Sequence, residues 1–282
     1  MKFAVTISLV PEAARGPFVY HCRPPAGRES GVSLADACRR ASQLGFDAVE
    51  IFPAHAAGVP RQELAGLLAE HGLAVAAFGT GAGWLVQGLS LSAADPEVRA
   101  RAVDFVRGII ELGAEFSAPA IVGSIQGRSA AGTPRDLAVG LLAESLRALG
   151  RHAAALGQPL LYEPLNRYET DLFNRQAEAA AFFDAEGLVG LRLLCDLFHM
   201  NIEEPDPPAT LAALGPLVGH VHWADSNRRA LGMGHTDAEP IAAALAETGF
   251  AGYLSAEVFP LPSAEAAAEA SIRSMRAHAA RR

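Results

Sequence analysis

The sequence predicts an α/β fold, a single (β/α)₈ barrel, because short apolar runs alternate with longer Ala/Leu-rich helical patterns about eight times in 282 residues. This alternation is typical of βαβ units and a parallel sheet, and eight units fit one barrel domain, residues 1–282. A doubly wound open sheet is the competing architecture. However, no Gly-x-Gly-x-x-Gly follows the first strand, and polar residues recur at strand ends, where a barrel places its active site.

The predicted strands are short apolar runs that end at polar or turn residues. They are Phe3–Ser8, Ala48–Phe52, Ala74–Phe78, Ala120–Val122, Leu160–Glu163, Leu191–Asp196, Val218–His222 and Tyr253–Glu257. Helical patterns lie between them and after the last one. They are Leu34–Leu44, Arg61–Glu70, Pro96–Leu112, Pro134–Leu156, Arg175–Glu186, Ile241–Thr248 and Ala264–Ala280.

Capping signals and glycines indicate where helices and loops begin and end. Ser33 before the first helical pattern is a predicted N-cap, Asp36 adds a negative charge to the first turn, and Gly45 ends the pattern. Two long connections, Pro11–Gly31 and Gly79–Asp95, follow strands. On a barrel such loops form substrate lids; a surface excursion or an oligomer contact is the alternative for the first.

Composition excludes several functional classes. The chain has 50% hydrophobic residues, a formal net charge of -8 and a pI near 5.6, which argues against a nucleic-acid partner. Cys22, Cys38 and Cys195 are too few and too widely spaced for a disulfide framework, so we expect free thiols and a cytoplasmic location. Polar residues interrupt the N-terminal apolar run after Val10, so we expect neither a signal peptide nor a membrane span.

Four metal-ligating side chains lie at the ends of consecutive predicted strands: Glu163, Asp196, His222 and Glu257. The carboxyl ends of parallel strands meet on one rim, so these side chains should converge there. Three carboxylates and one imidazole suit hard cations, so Mn²⁺ is the predicted cation, with Co²⁺ or Mg²⁺ as alternatives and Zn²⁺ still open. Because side chains alternate along a strand, the residues two positions earlier should form a partly apolar layer beneath: Leu161, Leu194, His220 and Ser255.

The residues around these positions resemble a known family. The strings are Glu-Pro-Leu-Asn-Arg-Tyr-Glu-Thr-Asp from Glu163, His-Val-His-Trp-Ala-Asp-Ser-Asn-Arg from His220, and Phe-Gly-Thr-Gly-Ala-Gly-Trp-Leu-Val-Gln-Gly-Leu-Ser-Leu from Phe78. They resemble the ketose 3-epimerase group (tagatose and psicose 3-epimerases) of the xylose-isomerase-like TIM barrels. The similarity is greatest to the 5-keto-L-gluconate epimerase branch. It covers nearly the whole chain and is densest over residues 161–260, and the departures lie mainly in the loop at 11–31.

The resemblance implies roles for individual residues. Positions matching the strand-end quartet bind the metal in that family, and positions matching Glu169, His199 and Arg228 hold the substrate. It also implies a keto-sugar or keto-sugar acid as substrate and a homo-oligomer, dimer or tetramer. From sequence alone, His199 at a helix start and Glu169 in a loop would be ordinary structural or solvated residues.

Epimerisation next to a ketone removes a proton from one face of a carbon and returns one to the other. A chelated divalent ion stabilises the resulting enediolate, and Glu163 and Glu257 are the candidate acid/base pair. The alternative is that both are ligands only and that a water carries the proton. An aldose-ketose (hydroxypyruvate-type) isomerase or dehydratase on the same scaffold, a zinc-dependent nuclease and a non-catalytic sugar-binding barrel are the competing functions.

Four further residues are candidates for the wall of the site. Glu50 ends a predicted strand on the same rim, and Trp84 and Trp223 could cover the apolar face of a sugar, although large aromatics more often pack in a core. Arg128 could pair with a substrate carboxylate if the substrate is a sugar acid.

Overall fold

Parallel strands form a closed barrel in the computed structural model, which describes residues 1–22, 31–129 and 133–279. Each strand pairs with the next around the barrel, and the first pairs with the last to close it. This confirms the predicted barrel. In the described residues the strands are β1 (Lys2–Ser8), β2 (Tyr20–His21), β3 (Ala48–Phe52), β4 (Ala74–Gly79), β5 (Ala120–Val122), β6 (Leu160–Tyr162), β7 (Leu191–Asp196), β8 (Val218–His222) and β9 (Tyr253–Ala256).

The eight predicted strands are those of the barrel wall, and the two-residue strand β2 is additional. β9 pairs with β1 only up to Val5, and β2 pairs with the last two residues of β1, Ile7 and Ser8. The chain after β1 therefore returns to the mouth of the barrel, and this return brings part of the long first connection beside the carboxyl ends of the strands.

Helices cover the outside of the barrel. Of the helices in the described residues, seven were predicted with boundaries that agree to within a few residues. Three were not predicted, because each is short and lies in a loop-like stretch: α3 (Gly81–Leu85), α7 (Leu197–Glu203) and α8 (Pro207–Leu214). The helices in the described residues are α1 (Leu34–Leu44), α2 (Arg61–His71), α3 (Gly81–Leu85), α4 (Pro96–Glu115), α5 (Arg135–Ala155), α6 (Gln176–Ala185), α7 (Leu197–Glu203), α8 (Pro207–Leu214), α9 (Ala238–Glu247) and α10 (Ala264–Ala279).

The barrel interior is filled by side chains at alternating strand positions. Ala77, Ile121, Leu161 and Leu194 form one buried cluster, separate from the larger core between strands and helices. Leu161 and Leu194 lie two residues before Glu163 and Asp196, as strand parity predicted. The layer beneath the strand-end side chains is therefore partly apolar: Leu161 and Leu194 limit the access of water from below, whereas His220 and Ser255 are buried polar residues.

The three cysteines are buried free thiols, as expected from their spacing. Burial raises the pKa of Cys22 to about 12 and that of Cys38 to about 11, so these thiols stay protonated at neutral pH. Among the helices that the structure describes, we find none whose length and apolar character would let it cross a membrane.

Substitution of the N-cap of α1 tests the helix boundary. Ser33 Oγ accepts the N–H of Asp36 at 3.0 Å, and Gly45 ends the helix in the left-handed conformation. Ser33→Ala should lower the free energy of unfolding by about 1 kcal/mol in urea titrations, because an orphan N–H loses its partner. Ser33→Thr keeps the hydroxyl, so its free energy of unfolding should stay close to that of the parent. An equal decrease in both variants would contradict the assignment of Ser33 as the N-cap of α1.

Candidate metal centre and substrate cavity

The four predicted strand-end residues meet at the mouth of the barrel. Glu163 follows β6, Asp196 ends β7, His222 ends β8 and Glu257 follows β9. All four are buried, and one ligand atom from each lies within 4.8 Å of the others. The convergence inferred from sequence order is therefore present in three dimensions.

The interatomic distances leave room for a cation between these residues. His222 Nδ1 lies 3.5 Å from one oxygen of each carboxylate: Glu163 Oε1, Asp196 Oδ2 and Glu257 Oε2. Glu163 Oε1, Asp196 Oδ2 and His222 Nδ1 have no hydrogen-bond partner among the described residues, although buried polar atoms are normally satisfied. Burial raises the pKa of Glu163 to about 7 and also raises that of Glu257. These atoms fit a divalent cation, which would satisfy all of them at once.

Glu50 holds His222 from the opposite side. His222 Nε2 lies 3.0 Å from Glu50 Oε1, and His220 Nε2 lies 2.7 Å from Glu50 Oε2. Burial opposes the charge of Glu50, but the two imidazoles outweigh it and hold the pKa of Glu50 well below its usual range. An ionised carboxylate only accepts, so His222 Nε2 carries a proton and Nδ1 faces the three carboxylates. Glu50, expected on the wall of the site, instead lies beneath it as a support.

The charge on His222 depends on what occupies the centre. Burial disfavours a charged ring, but the carboxylates of Glu257 and Glu50 outweigh it and raise the pKa of His222 well above its ordinary value. A proton on Nδ1 and a cation would therefore compete for the same lone pair.

Arg228 and Glu169, two of the three predicted substrate residues, lie beside the quartet. Arg228 Nη2 donates to Glu257 Oε2 at 2.6 Å, and Nη1 lies 3.5 Å from Glu169 Oε1. The guanidinium also lies over the Phe198 ring, 4.9 Å from its centroid. These contacts fix the orientation of the guanidinium, which is a rigid fork of donors.

Asp225, which sequence reasoning missed, organises the loop that presents Arg228. The Asp225 carboxylate is buried, and burial opposes its charge, but bonds from backbone N–H groups outweigh this and lower the pKa of Asp225 to about 2. Arg228 itself adopts a left-handed backbone, φ 58°, and its N–H donates to Asp225 O at 2.8 Å. The donors to the carboxylate are the Ser226 hydroxyl and the N–H groups of Ser226, Gly232, Gly234 and Thr236, at 2.7 to 3.1 Å.

His199, the third predicted substrate residue, lies in α7, about one helical turn after Asp196. Its Nε2 lies 3.8 Å from Glu163 Oε1 and 3.7 Å from Asp196 Oδ2, and it has no hydrogen-bond partner among the described residues. Burial lowers the pKa of His199 to about 4, so the ring is neutral at pH 7. Asn166, also missed from sequence, contacts the other ring nitrogen.

A cavity of about 570 Å³ opens onto the quartet through Glu163 and Glu257, and this volume is ample for a monosaccharide. Trp84 lines it, as the sequence suggested, whereas Trp223 is fully buried and donates to Ser274 Oγ, so Trp223 is a packing residue. Arg128 lies on the cavity wall and is exposed to solvent. Other lining residues come from the first long connection and from α3: Arg15, Phe18, Ala82 and Leu85.

Comparison with known proteins identifies the family. The family model described as xylose isomerase-like TIM barrel matches residues 38–278. The chain belongs to the xylose isomerase-like TIM barrel family. A D-psicose 3-epimerase of Agrobacterium fabrum is 30% identical over 229 residues, 78% of this chain and 77% of the relative. An L-ribulose 3-epimerase of Mesorhizobium japonicum is 32% identical over 220 residues, 77% and 72% of the two chains.

Solved structures of the family have the same architecture. An L-ribulose 3-epimerase structure superposes with a TM-score of 0.79 and 24% identity, covering 99% of this chain and 94% of that one. At this identity the likeness supports the fold. Similarity to ketose 3-epimerases, predicted from the sequence strings, is confirmed by the relatives, whereas placement in the 5-keto-L-gluconate branch stays a prediction.

Removal of one carboxylate tests the metal centre. Asp196→Asn keeps the acceptor that caps α7 at Phe198 N but removes the charge facing His222. It should lower the affinity for Mn²⁺ more than about 100-fold, because even changes outside the coordination sphere cost 10–100-fold. Isothermal titration of chelator-treated protein should give one site per chain in the parent.

The matched control is Asp184→Asn on the exposed face of α6, which should bind as the parent does. Parent-like Mn²⁺ binding by Asp196→Asn would remove Asp196 from the centre.

The affinity of the parent protein for Mn²⁺ should also fall as the pH is lowered, because a proton on His222 competes with the cation.

Proposed function

We propose that this protein is a metal-dependent epimerase that inverts the carbon next to the ketone of a keto-sugar or keto-sugar acid. The observation that carries the proposal is the pair of buried carboxylates, Glu163 and Glu257, that flank one cation site on the floor of a sugar-sized cavity. The relatives that match over most of the chain are named ketose 3-epimerases, which supports the same reaction type.

Inversion needs two proton carriers on opposite sides of one carbon. Glu163 and Glu257 project from β6 and β9, three strands apart around the barrel, and both line the cavity. Without a cation, burial raises the pKa of both carboxyl groups, to about 7 for Glu163. Both are also proposed ligands, so the charge of the bound cation would set their basicity. One takes the proton from the substrate carbon and the other returns a proton to the opposite face.

Glu163, Asp196, His222 and Glu257 would hold the cation. A bound divalent cation supplies Lewis-acid stabilisation of the negative charge that develops on the substrate oxygens. The donor set favours Mn²⁺, with Co²⁺ or Mg²⁺ as alternatives. The apolar side chains of Ala77, Ile121, Leu161 and Leu194 fill part of the barrel interior beneath the site and limit the access of water from below.

Three residues are proposed to orient the sugar. Arg228 donates from its fixed guanidinium, Glu169 accepts from a hydroxyl, and His199 contacts a substrate oxygen near Glu163 and Asp196. Trp84 offers an aromatic face to the C–H groups of the sugar. A homo-oligomer, dimer or tetramer, and a cytoplasmic location complete the proposal.

Glu257→Gln tests the acid/base assignment. The amide cannot carry the proton, so kcat should fall by about 10²–10⁴-fold, while substrate affinity falls less. Free ketohexoses, pentuloses and ketohexonates with Mn²⁺ are screened first by chromatography. For the substrate found, exchange in D₂O should place deuterium at the carbon beside the ketone without aldose formation.

Assays are run at saturating Mn²⁺ with metal content measured, because Glu257 is also a proposed ligand. Glu178→Gln on the exposed side of α6 is the matched control. Parent-like turnover in Glu257→Gln would remove Glu257 from the mechanism, and accumulation of an aldose would support an isomerase instead.

Arg128→Ala distinguishes a sugar acid from a neutral sugar. If Arg128 pairs with a substrate carboxylate, KM for a ketohexonate should rise about 10- to 100-fold, which corresponds to the 1.5–3 kcal/mol of a charged hydrogen bond. KM for a neutral ketose should stay unchanged. Arg101→Ala, exposed on α4, is the control, and an equal rise for both substrate types would contradict the pairing.

A further inference from the structure

We propose that Asn166 is a positioning residue that fixes His199 as the Nε2–H tautomer and thereby makes it a hydrogen-bond donor to the substrate. This inference rests on the proposed function for its catalytic consequence, but the tautomer is a property of the folded chain. The His199 tautomer and the proposed epimerase activity can therefore be tested separately.

Two donors from Asn166 converge on the same ring nitrogen. The backbone N–H of Asn166 lies 3.3 Å from His199 Nδ1, and the side-chain Nδ2 lies 2.7 Å from it. A backbone N–H can only donate, so Nδ1 must accept and carries no proton. The proton of the neutral ring then resides on Nε2.

The orientation of the Asn166 side chain is fixed by two further bonds. Asn166 Oδ1 accepts the N–H of Tyr168 at 3.0 Å, and Nδ2 also donates to Glu169 Oε1 at 3.2 Å. Exchange of the amide oxygen and nitrogen would break both bonds and would place an oxygen against Nδ1. The side chain therefore acts as a donor to His199, in agreement with the backbone N–H.

The two histidines of the site consequently have opposite roles. Glu50, an acceptor, binds Nε2 of His222 and leaves Nδ1 to face the carboxylates as a ligand. Asn166, a donor, binds Nδ1 of His199 and leaves Nε2–H to face the same centre. A protonated Nε2 cannot coordinate a cation, so His199 is excluded from the ligand set and is available to a substrate oxygen.

Nitrogen-15 NMR of the full-length protein tests the tautomer directly. Long-range ¹H–¹⁵N correlation of ¹⁵N-histidine-labelled protein separates protonated from bare ring nitrogens, and a His199→Gln sample assigns the His199 signals. We expect a bare Nδ1 and a protonated Nε2 at pH 7, without and with Mn²⁺. An Nδ1–H tautomer or a doubly protonated ring would overturn the proposal.

Asn166→Asp tests the consequence. The carboxylate is nearly isosteric but only accepts, so it should draw a proton onto Nδ1 and alter the His199 spectrum. Turnover should fall roughly 10- to 100-fold, the range expected for the loss of one hydrogen bond to a charged oxygen. Asn166→Ala, which retains the backbone N–H, should keep the tautomer and lose less activity.

Asn174→Asp is the structural control. Asn174 Nδ2 donates to Leu165 O and Thr170 O in the same loop, and neither bond involves His199, so this variant disturbs the loop without removing a partner of the ring. It should keep the parent His199 spectrum. Equal loss of turnover in both Asp variants, with the parent tautomer in both, would reduce Asn166 to a structural role. A parent enzyme with the expected tautomer but no epimerase activity would instead refute the proposed function alone.

Discussion

The structure depends on three carboxylates gathered around one imidazole in a buried space. At an effective dielectric constant near 20, two unit charges 4 Å apart repel by about 4 kcal/mol, so the three carboxylates oppose one another strongly. Burial and the charges of neighbouring carboxylates raise the pKa of Glu163 and Glu257. Glu163 Oε1, Asp196 Oδ2 and His222 Nδ1 also have no hydrogen-bond partner among the described residues. A bound divalent cation would offset the repulsion between the carboxylates and give the unpartnered atoms a partner. This explains how the folded chain can hold three buried carboxylates together.

Groups behind the site decide what each side chain in front can do. The acceptor Glu50 leaves Nδ1 of His222 facing the carboxylates, whereas the donor Asn166 leaves Nε2 of His199 facing the same centre, although both rings are buried. Asp225 acts at longer range, because its backbone bonds shape the loop from which Arg228 reaches the quartet. The chemistry of the mouth is thus set by hydrogen bonds that do not themselves face the cavity.

The barrel separates reaction type from substrate choice. The quartet lies at the ends of β6 to β9, where the closed sheet restrains position, and a buried apolar cluster fills part of the barrel beneath it. The cavity walls come instead from connections, with Arg15 and Phe18 from the first and Trp84 from α3. Loops can change without disturbing the sheet, so members of one family can share a metal centre and differ in substrate.

The sequence alone determined the barrel, its eight wall strands and the convergence of the four strand-end residues. Alternation along a strand and the order of strands are read directly from the sequence, and pairing of neighbouring parallel strands then brings the strand ends together. The sequence alone did not determine the roles of Glu50, Asn166 and Asp225, which depend on contacts between segments far apart in the chain or on the path of a loop. Glu50 lies 172 residues from His222, yet their side chains share a hydrogen bond. Only the closed barrel brings such pairs together, so tertiary structure decided which nitrogen of each histidine faces the site.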